Sequence, residues 1–511
     1  MAKNITKQLE QYKKTVIHRT DRTQAPFGQT QLSNAPIRFE AAEKTQAVTH
    51  AGIALIHQIA IQSKLVDALN SVPVLKLKLP YHESDHILNI IYNFLCGGTA
   101  LEHIEYRRQD PIYLNMHGTH SIPDPTTAAD YCRRYTEEQI DQLQDAINNV
   151  RLNIWQHQPK SFFEEAVVDL DGTLAPTTGE CKQGMDISYN GQWGYHPLIV
   201  SLANTKEILF VKNRSGNRPS HEDAHIYIDK SIILLQKAGF AKIRFRGDTD
   251  FTQTKHLDRW DEAGVFFVFG MDARSNLIDI AESLENTEWE RLVRPPKYEV
   301  KTRPLGKREN VKEPIVIARG YRNRILDHED IAEVSYRPTA CKRSYRLVIL
   351  RKTITVKEGD NLLIPEIRYY FYLTNDCDSS PSDIVFDSNA RCNQENLIGQ
   401  LKSDLQALSM PLNTLESNWV YLLCGCLALS LKSWLALQLG CTCCHSEEVR
   451  RRDRLLSMEF RTFLQALIHL PAQIVRSGGQ RIVRLLGLNG WSETFFRLAD
   501  LVRPVLYSRR E

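Results

Sequence analysis

Apolar residues recur at helical spacing between Thr49 and Gln158. The segments THAGIALIHQIAIQSKLVDALN and ESDHILNIIYNFLCGG both place them at i, i+3, i+4 and i+7, which is the spacing of one helix face. A third segment, DPTTAADYCRRYTEEQIDQLQDAINNV, offers Thr126 or Thr127 as a helix cap. We therefore predict an all-α region over residues 36–160. Residues 1–35 are polar and show no periodicity, which predicts a flexible N-terminal arm.

The period changes to two after residue 160. EEAVVDLD, YHPLIVSLAN and EILFVKNRS alternate as strands do. SHEDAHIYIDKSIILLQKAG follows as a predicted helix, capped by Ser220 and ended by Gly239. A strand (AKIRFRGDTDF), a helix (TQTKHLDRWDEAG) and a strand (VFFVFGM) complete the pattern. This mixture predicts an α/β fold, and its first part covers residues 161–274.

Residues 275–375 turn basic and then strand-rich. EPIVIARGYR, DIAEVSY, SYRLVILRKTITV and EIRYYFYLTN read as strands with no helix between them, which predicts a β-rich insertion. Helix resumes at Pro381. We predict the second part of the α/β core over residues 376–440 and a helical, basic C-terminal region over residues 441–511.

One segment, SNWVYLLCGCLALSLKSWLALQL, approaches the composition of a membrane span. It carries no charge from Ser417 to Leu431 and then meets Lys432. The uncharged run is shorter than the ~18–20 apolar residues that a spanning helix needs. We therefore predict a buried helix of a soluble protein and no association with a membrane.

The bulk composition is typical of a soluble globular protein, with 42% hydrophobic and 24% charged residues and a net charge of +3. With so small a net charge, binding to nucleic acid must come from local basic patches. The eleven cysteines are irregularly spaced, and Gln8, Gln11 and Lys13 interrupt any secretory signal core. These features predict reduced thiols and a cytoplasmic location.

Acidic residues end two of the predicted strands. In VVDLDGT, Asp169 and Asp171 are two residues apart and therefore face the same side of a strand. The fourth strand ends in RGDTDF, with Asp248 directly after Gly247. A third acid, Glu395, lies on a predicted helix and shares one face with Arg391 and Lys402.

Three carboxylates from two strand ends and a helix suit hard divalent cations. Mg²⁺ prefers oxygen ligands and is usually held by one or two carboxylates together with substrate phosphate. Two such ions ~3.5–4 Å apart can stabilise both the attacking and the leaving oxygen of a phosphoryl displacement. Arg391 and Lys402 would then bind the anionic substrate backbone.

The chain resembles the DDE transposases of bacterial insertion sequences, most closely the insertion-sequence-1380 family, over nearly its whole length. Three motifs carry the resemblance: DLDGT, RGDTDF, and Arg391-x₃-Glu395-x₆-Lys402 with FYLTN upstream. GGTALEHIEYRRQDPIY and PDPTTAADYCRRY are similar to the N-terminal region of that family. One position departs from the third motif, because Ser388 stands where a tyrosine is often found.

The resemblance implies a ribonuclease-H-like mixed sheet with flanking helices, interrupted by the β-rich insertion. It assigns Asp171, Asp248 and Glu395 as the catalytic and metal-binding acids, with Asp169 and Asp250 as neighbours. It further implies two Mg²⁺ ions, for which Mn²⁺ can substitute, and double-stranded DNA as partner, both terminal inverted repeats and target. A homodimer in the synaptic complex and a nucleoid-associated location in a bacterial cytoplasm complete the expectation.

Several basic and aromatic residues are candidate DNA contacts besides Arg391 and Lys402. Trp289 opens the insertion beside a basic run that includes Arg294 and Lys297, and relatives that form hairpins stack such a tryptophan on a displaced base. Arg133 and Arg134 are candidates in the N-terminal helical region. The clusters at 450–454 and 476–484 are further candidates for phosphate binding.

Two other functions compete with DNA transposition. A catalytically inactive, DNA-binding relative is one, although all three acids are present. The other is a zinc metalloprotease, since His221-Glu222-Asp223-Ala224-His225 matches HExxH. Pro219 and Ser220 place His221 at the start of its helix, and no third ligand follows at a typical spacing. Cys441-Thr-Cys443-Cys444-His445 lacks the paired spacing of a zinc knuckle.

Overall fold

The computed structural model describes residues 7–14, 45–76, 80–295, 311–359, 361–440, 446–477 and 480–502. Most of the predicted N-terminal arm, the candidate DNA ligand Lys297 and the segment from Cys441 to His445 lie outside the described residues. The eight described cysteines are all free thiols.

Helices cover most of both ends of the chain and flank the sheet in the middle. Their bounds are α1 7–14, α2 Gly52–Gln62, α3 Leu65–Asn70, α4 Glu83–Leu95, α5 Ile104–Arg108, α6 Pro111–His117, α7 Pro125–Cys132, α8 Glu137–Trp155, α9 Ala224–Ala238, α10 Thr254–Glu262, α11 Ser275–Ser283, α12 Glu313–Ala318, α13 Pro381–Ala390, α14 Cys392–Ser403, α15 Leu415–Ala436, α16 Ser446–Ser457, α17 Phe460–Phe463 and α18 Ser492–Leu501.

The strands fall in the middle of the chain, apart from β1 near the start and two strands near the end. Their bounds are β1 Ala47–Val48, β2 Glu165–Gly172, β3 Ala175–Pro176, β4 Asp186–Ile187, β5 Trp193–Tyr195, β6 Leu198–Leu202, β7 Glu207–Lys212, β8 Lys242–Gly247, β9 Val265–Met271, β10 Glu290–Arg291, β11 Arg322–Tyr336, β12 Tyr345–Glu358, β13 Asn361–Leu362, β14 Glu366–Thr374, β15 Ala472–Ser477 and β16 Gln480–Leu485.

A ten-stranded mixed sheet organises the molecule. Its order is β7-β6-β2-β8-β9-β14-β12-β11-β10, and β13 pairs with β12 off this path. Strands β2, β8 and β9 are parallel, while β6 pairs antiparallel with β2 and β14 antiparallel with β9. The protein is therefore a mixed α/β protein with one large sheet and many helices.

The predicted β-rich insertion continues this sheet instead of forming a separate one. Residues 371–374 of β14 pair with residues 268–271 of β9, and β12 and β11 follow outward. One part of the secondary-structure prediction is wrong here. EPIVIARGYR begins as helix α12, because Pro314 at the first turn lacks only an N–H that a helix start leaves unpaired, and the strand begins at Arg322. Helix α11 lies in the first part of the predicted insertion, before the segments predicted as strands.

Helix α15 joins the N-terminal helices to the sheet. Trp419 Nε1 on α15 donates a hydrogen bond to the Val211 carbonyl of β7 at 2.7 Å, and Trp434 Nε1 donates to Glu207 Oε1 at 2.6 Å. Arg151 of α8 also donates to that oxygen, at 2.9 Å. Among the described residues, α15 is the one helix long and apolar enough to cross a membrane, and its apolar window is entirely buried within the protein.

A β-hairpin replaces part of the predicted C-terminal helical region. Strands β15 and β16 pair antiparallel, and β1 adds to β15 to give a three-stranded sheet. The sequence AQIVRS-GG-QRIVRL alternates apolar and polar residues around a Gly-Gly pair, which is a hairpin signal. The prediction of helix over these residues is therefore wrong, and the hairpin forms a small sheet with β1 from the N-terminal part of the chain.

Candidate active site

Asp171 lies near the end of β2, in the middle of the large sheet. Its strand pairs antiparallel with β6, where Asp171 lies opposite Ile199, and parallel with β8. The carboxyl ends of parallel strands lie at one edge of a sheet, so β2 and β8 bring Asp171 and Asp248 to the same edge. The side chain of Asp171 is only 16% exposed.

Asp248 follows β8 directly and begins a short turn. Its side chain accepts a hydrogen bond from the Asp250 backbone N–H at 3.1 Å, which holds the carboxylate at the end of the strand. Asp250 is exposed.

Glu395 is held near these acids by helix α14. The neighbouring Gln394 is buried, and its Nε2 donates to the Asp169 carbonyl at 3.2 Å and to the Ile199 carbonyl at 2.9 Å. These bonds fix the first turn of α14 across β2 and β6. The Glu395 side chain is 59% exposed, so it is open to solvent and to a substrate.

The Arg391 guanidinium bridges the first and third acids. Its Nη1 lies 3.5 Å from Asp171 Oδ2, and its Nη2 lies 3.9 Å from Glu395 Oε1. Arg391 is the residue before α14, and Asp171, Asp248 and Glu395 all act electrostatically within this small volume. The structure thus brings together the three acids and the arginine of the sequence motifs.

Burial is the main influence on the pKa values of the first two acids, and neighbouring charges modify it. Burial raises the pKa of Asp171 to about 7, with a weaker lowering by Arg391 and further raising by Asp248 and Glu395. Burial also raises the pKa of Asp248 above its ordinary value, against the lowering effect of Arg391. Partial burial lowers the pKa of Lys402, and the charge of Asp171 opposes that shift. Lys402 therefore lies within electrostatic reach of the first acid.

The donor set suits a hard divalent cation. Each candidate ligand is a carboxylate oxygen, the ligand type that Mg²⁺ prefers. Burial raises the pKa values of Asp171 and Asp248, and a bound cation would compensate the negative charges of these two buried carboxylates. Within the described residues, no three histidine, cysteine, aspartate or glutamate side chains are close enough to hold one metal ion. In this arrangement Arg391 supplies the positive charge between Asp171 and Glu395.

Asp169 has a structural partner. It is 1% exposed, and Arg246 of β8 donates to both of its oxygens, at 2.7 and 2.9 Å. Arg246 also donates to Asp387 Oδ1 of α13 at 2.8 Å. Both Asp169 oxygens therefore accept hydrogen bonds from Arg246, and through Arg246 this acid links β2 to β8 and α13.

The HExxH segment does not form a zinc-protease helix. Helix α9 begins at Ala224, and the residue before it, Asp223, has the left-handed φ of 60°. The predicted cap at Ser220 is therefore wrong, and His221 precedes the helix. The His225 ring stacks on His256 with ring centroids 4.6 Å apart. The two histidines thus lack the one-turn helical spacing that zinc ligation by this motif requires.

The other candidate DNA contacts are scattered, and several already have protein partners. Arg133 pairs with Asp130 at 2.5 Å and donates to Asn413, while Arg134 is exposed. Arg294 donates through Nη2 to Glu329 at 2.9 Å. Trp289 is half-buried beneath Arg351, whose guanidinium carbon lies 4.1 Å from the ring centroid.

Sequence analysis missed two features beside the candidate acids. His196 and Ser220 crowd Gly172, so that a Cβ at that position would lie 3.0 Å from each side chain. The His196 Nδ1 lies 2.8 Å from the Arg218 carbonyl. Asp272 follows β9, the next parallel strand, and its charge raises the pKa of Asp248. The ending VFFVFGMD was the available signal for Asp272, whereas nothing in the sequence marked His196.

Comparison with known proteins identifies the family. Residues 30–505 match the family described as Transposase DDE domain group 1. A solved structure, the cryo-EM structure of a piggyBac transposase synaptic complex with hairpin DNA, is similar at 10% sequence identity and a TM-score of 0.34, over 82% of this chain and 85% of that one. No curated protein matches the chain. Since the family match spans most of its length, the chain belongs to the transposase DDE domain group 1 family.

Proposed function

We propose that this transposase binds the terminal inverted repeats of a bacterial insertion sequence, most like the insertion-sequence-1380 group, and cleaves and joins DNA there. Asp171, Asp248 and Glu395 are the proposed catalytic acids. The observation that carries the proposal is that Arg391 lies between Asp171 and Glu395, which are distant in sequence, and that the charges of Asp248 and Glu395 both act on Asp171. An inactive DNA-binding relative would not need to keep such an arrangement.

The proposed chemistry divides between the acids and the basic residues of α14. Together with substrate phosphate, the three carboxylates would hold Mg²⁺, or Mn²⁺ in its place; among the described residues the side chains alone are not close enough to enclose one ion. Two bound ions would supply stabilisation of the attacking and leaving oxygens at the scissile phosphate. Arg391 and Lys402 bind the phosphate itself, and Arg391 exchanges its contacts with Asp171 and Glu395 for contacts with substrate. Hydrolysis frees a 3′-hydroxyl, which then attacks target DNA.

The order of the sheet supports a ribonuclease-H-like core. Strands β7-β6-β2-β8-β9 run antiparallel on one side of β2 and parallel on the other. If these five strands are numbered by their order along the chain, their order across the sheet is third, second, first, fourth and fifth. It places the ends of the first and fourth strands side by side, and these ends carry Asp171 and Asp248.

The remaining parts of the proposal concern assembly and location. The N-terminal helical region, with Arg133 and Arg134, reads the element ends, and Trp289, Arg294 and Lys297 of the insertion contact DNA nearby. Joining two ends requires two active sites, which supports a homodimer in the synaptic complex. The protein acts in the cytoplasm, on the nucleoid.

The test is cleavage and strand transfer on a duplex carrying the DNA that flanks the coding region. Asp171→Asn, Asp248→Asn and Glu395→Gln should each abolish cleavage in Mg²⁺ and leave end binding within about twofold. Asp250→Asn is the matched control, an exposed acid two residues from Asp248, and should retain activity. If Asp169→Asn rather than Asp171→Asn abolishes cleavage in a folded protein, the assignment on β2 is wrong. If wild-type protein binds ends and never cuts, the inactive relative is the better description.

A further inference from the structure

The hairpin of β15 and β16 carries two arginines directly opposite each other. Arg476 and Arg481 are paired across the strands, and opposite residues of an antiparallel pair project from the same face. Both residues are exposed. Like charges in this position repel and destabilise the hairpin, so their presence needs a compensating group.

No carboxylate of the described residues supplies that compensation. Neither arginine forms an ion pair there, whereas arginines on the other exposed strands do. Arg322 pairs with Glu358 at 2.8 Å, and Arg324 pairs with Glu366 at 2.9 Å. The positive charge of the hairpin is therefore not neutralised locally, in contrast to that of the long strands.

Helix α6 holds the two guanidiniums in place. The Asn115 Oδ1 accepts from Arg476 Nε at 3.0 Å, and Asn115 Nδ2 donates to Gln46 at 2.7 Å. The Arg481 guanidinium lies against Gly118, which ends α6 with a φ of 76°, and a Cβ there would lie 3.1 Å from two of its atoms. Neutral groups thus position both arginines without cancelling their charge.

We propose that Arg476 and Arg481 form a binding site for backbone phosphates of duplex DNA. The proposal deepens the proposed function, on which it rests, by adding a non-specific contact surface on the hairpin, supported by helix α6. A phosphate between the guanidiniums removes their repulsion and accepts hydrogen bonds from both. Because such contacts carry no base information, the site positions DNA and does not select its sequence.

The experiment measures how salt changes affinity for a fluorescently labelled duplex of random sequence. Each phosphate contact contributes about 0.9 to the slope of log affinity against log salt concentration. Arg476→Gln/Arg481→Gln should therefore make that slope shallower by about 1.8, with an affinity loss on the order of tens-fold at 0.1 M salt. Arg476→Lys/Arg481→Lys keeps both charges and should retain most of the slope.

Arg322→Gln/Arg324→Gln is the matched control. It removes the same number of charges from exposed strands, but these charges are already paired with glutamates, so the slope should stay that of the wild type. A glutamine variant of the hairpin with a wild-type slope and a normal thermal melt would overturn the proposal. An equal change of the salt slope in the Arg322→Gln/Arg324→Gln control would also overturn it. The same holds if the glutamine variant of the hairpin loses binding to phosphatidylglycerol vesicles while its DNA binding is intact.

Failure of this site and failure of the proposed active site give different results. Asp171→Asn should keep the full salt slope while losing cleavage. The hairpin variant should cleave normally once protein concentration saturates the DNA. If Asp171→Asn still cleaves, the proposed active site is wrong, and the salt-slope result stands independently.

Discussion

Replacing Arg246 with methionine should destabilise the protein far more than replacing an exposed arginine. Arg246 is buried at 5% exposure and donates to both oxygens of Asp169, which is 1% exposed. Methionine fills similar space but leaves the buried Asp169 carboxylate without its ion-pair partner. Asp387, the other partner of Arg246, is 26% exposed at its side chain and can be hydrated in its place.

The size of the loss in stability depends on which charged group stays buried without its ion-pair partner. Removing one partner of a buried ion pair costs about 3–5 kcal/mol, because the other charge stays in a low-dielectric interior. Removing both charges together is often nearly neutral. We therefore expect Arg246→Met to lower the free energy of unfolding by about 3–5 kcal/mol, and Arg246→Met/Asp169→Leu to recover most of that loss.

Urea unfolding followed by tryptophan fluorescence measures these differences. Arg343→Met is the matched control, since Arg343 is 50% exposed and pairs with Asp261 on the surface; its cost should be much smaller, because an exposed ion pair contributes little to stability. The folded double variant should also keep cleavage activity, because Asp171, Asp248 and Glu395 are unchanged.

Two outcomes would refute this reasoning. If Arg246→Met costs no more than Arg343→Met, the pair is not buried in the way the structure shows. If the double variant is as stable as expected but cannot cleave DNA, Asp169 takes part in catalysis and is not only a structural partner.

Three further predictions concern the histidines, the anchor of α14 and a helix cap. Burial lowers the pKa of His50 and His86 to about 4 and that of His117 to about 3, so below about pH 6.5 the unfolded chain binds protons that the folded chain does not. The contribution of these histidines to stability should therefore fall between pH 7 and pH 5, opposed by Asp171, whose raised pKa has the opposite sign of effect. In urea titrations His117→Gln should lose less stability than the wild type over that range; an identical pH dependence in the two proteins contradicts the assignment. Gln394→Ala should cost about 1–3 kcal/mol, because two buried carbonyls lose their donor, and should slow cleavage by loosening Glu395; unchanged cleavage would show that Gln394 does not position that residue. Thr136→Ala removes the capping box of α8 and should cost about 1 kcal/mol in the same titration without affecting cleavage; a loss of cleavage would be unexpected.

The hydrophobic periodicity of the sequence was sufficient to predict the two strands and the helix that carry the candidate acids. The strand ending in VVDLDGT, the strand ending in RGDTDF and the helix carrying Glu395 lie where alternation and helical spacing predict them. The motifs predict that the three acids converge, and the parallel pairing of β2 and β8 brings the strand ends that carry Asp171 and Asp248 to one edge of the sheet. That pairing depends on contacts between residues 77 positions apart, which no local pattern contains.

The errors have local physical causes as well. The alternation of the strand places Asp169 and Asp171 on one face, but it does not show which carboxylate has its charge neutralised by a protein side chain. That depends on Arg246, which lies opposite Asp169 in the neighbouring strand. Pro314 made a strand improbable in EPIVIARGYR, yet its apolar β-branched residues favoured one. The Gly-Gly pair at 478–479 is a hairpin signal, but the arginines around it are also typical of a basic helix, which the sequence analysis predicts there.

The wide separation of the acids along the chain has a consequence for synthesis. Asp171 and Glu395 are 224 positions apart in the sequence. Helix α15, which connects the N-terminal helices to the sheet, follows Glu395 in the chain. At a translation rate of about 5–20 residues per second, the third acid leaves the ribosome about 11–45 seconds after the first. A growing polypeptide therefore lacks one of the three proposed catalytic acids until most of its message has been read. Products that end before residue 395 would contain the N-terminal helical sequence without the complete proposed site.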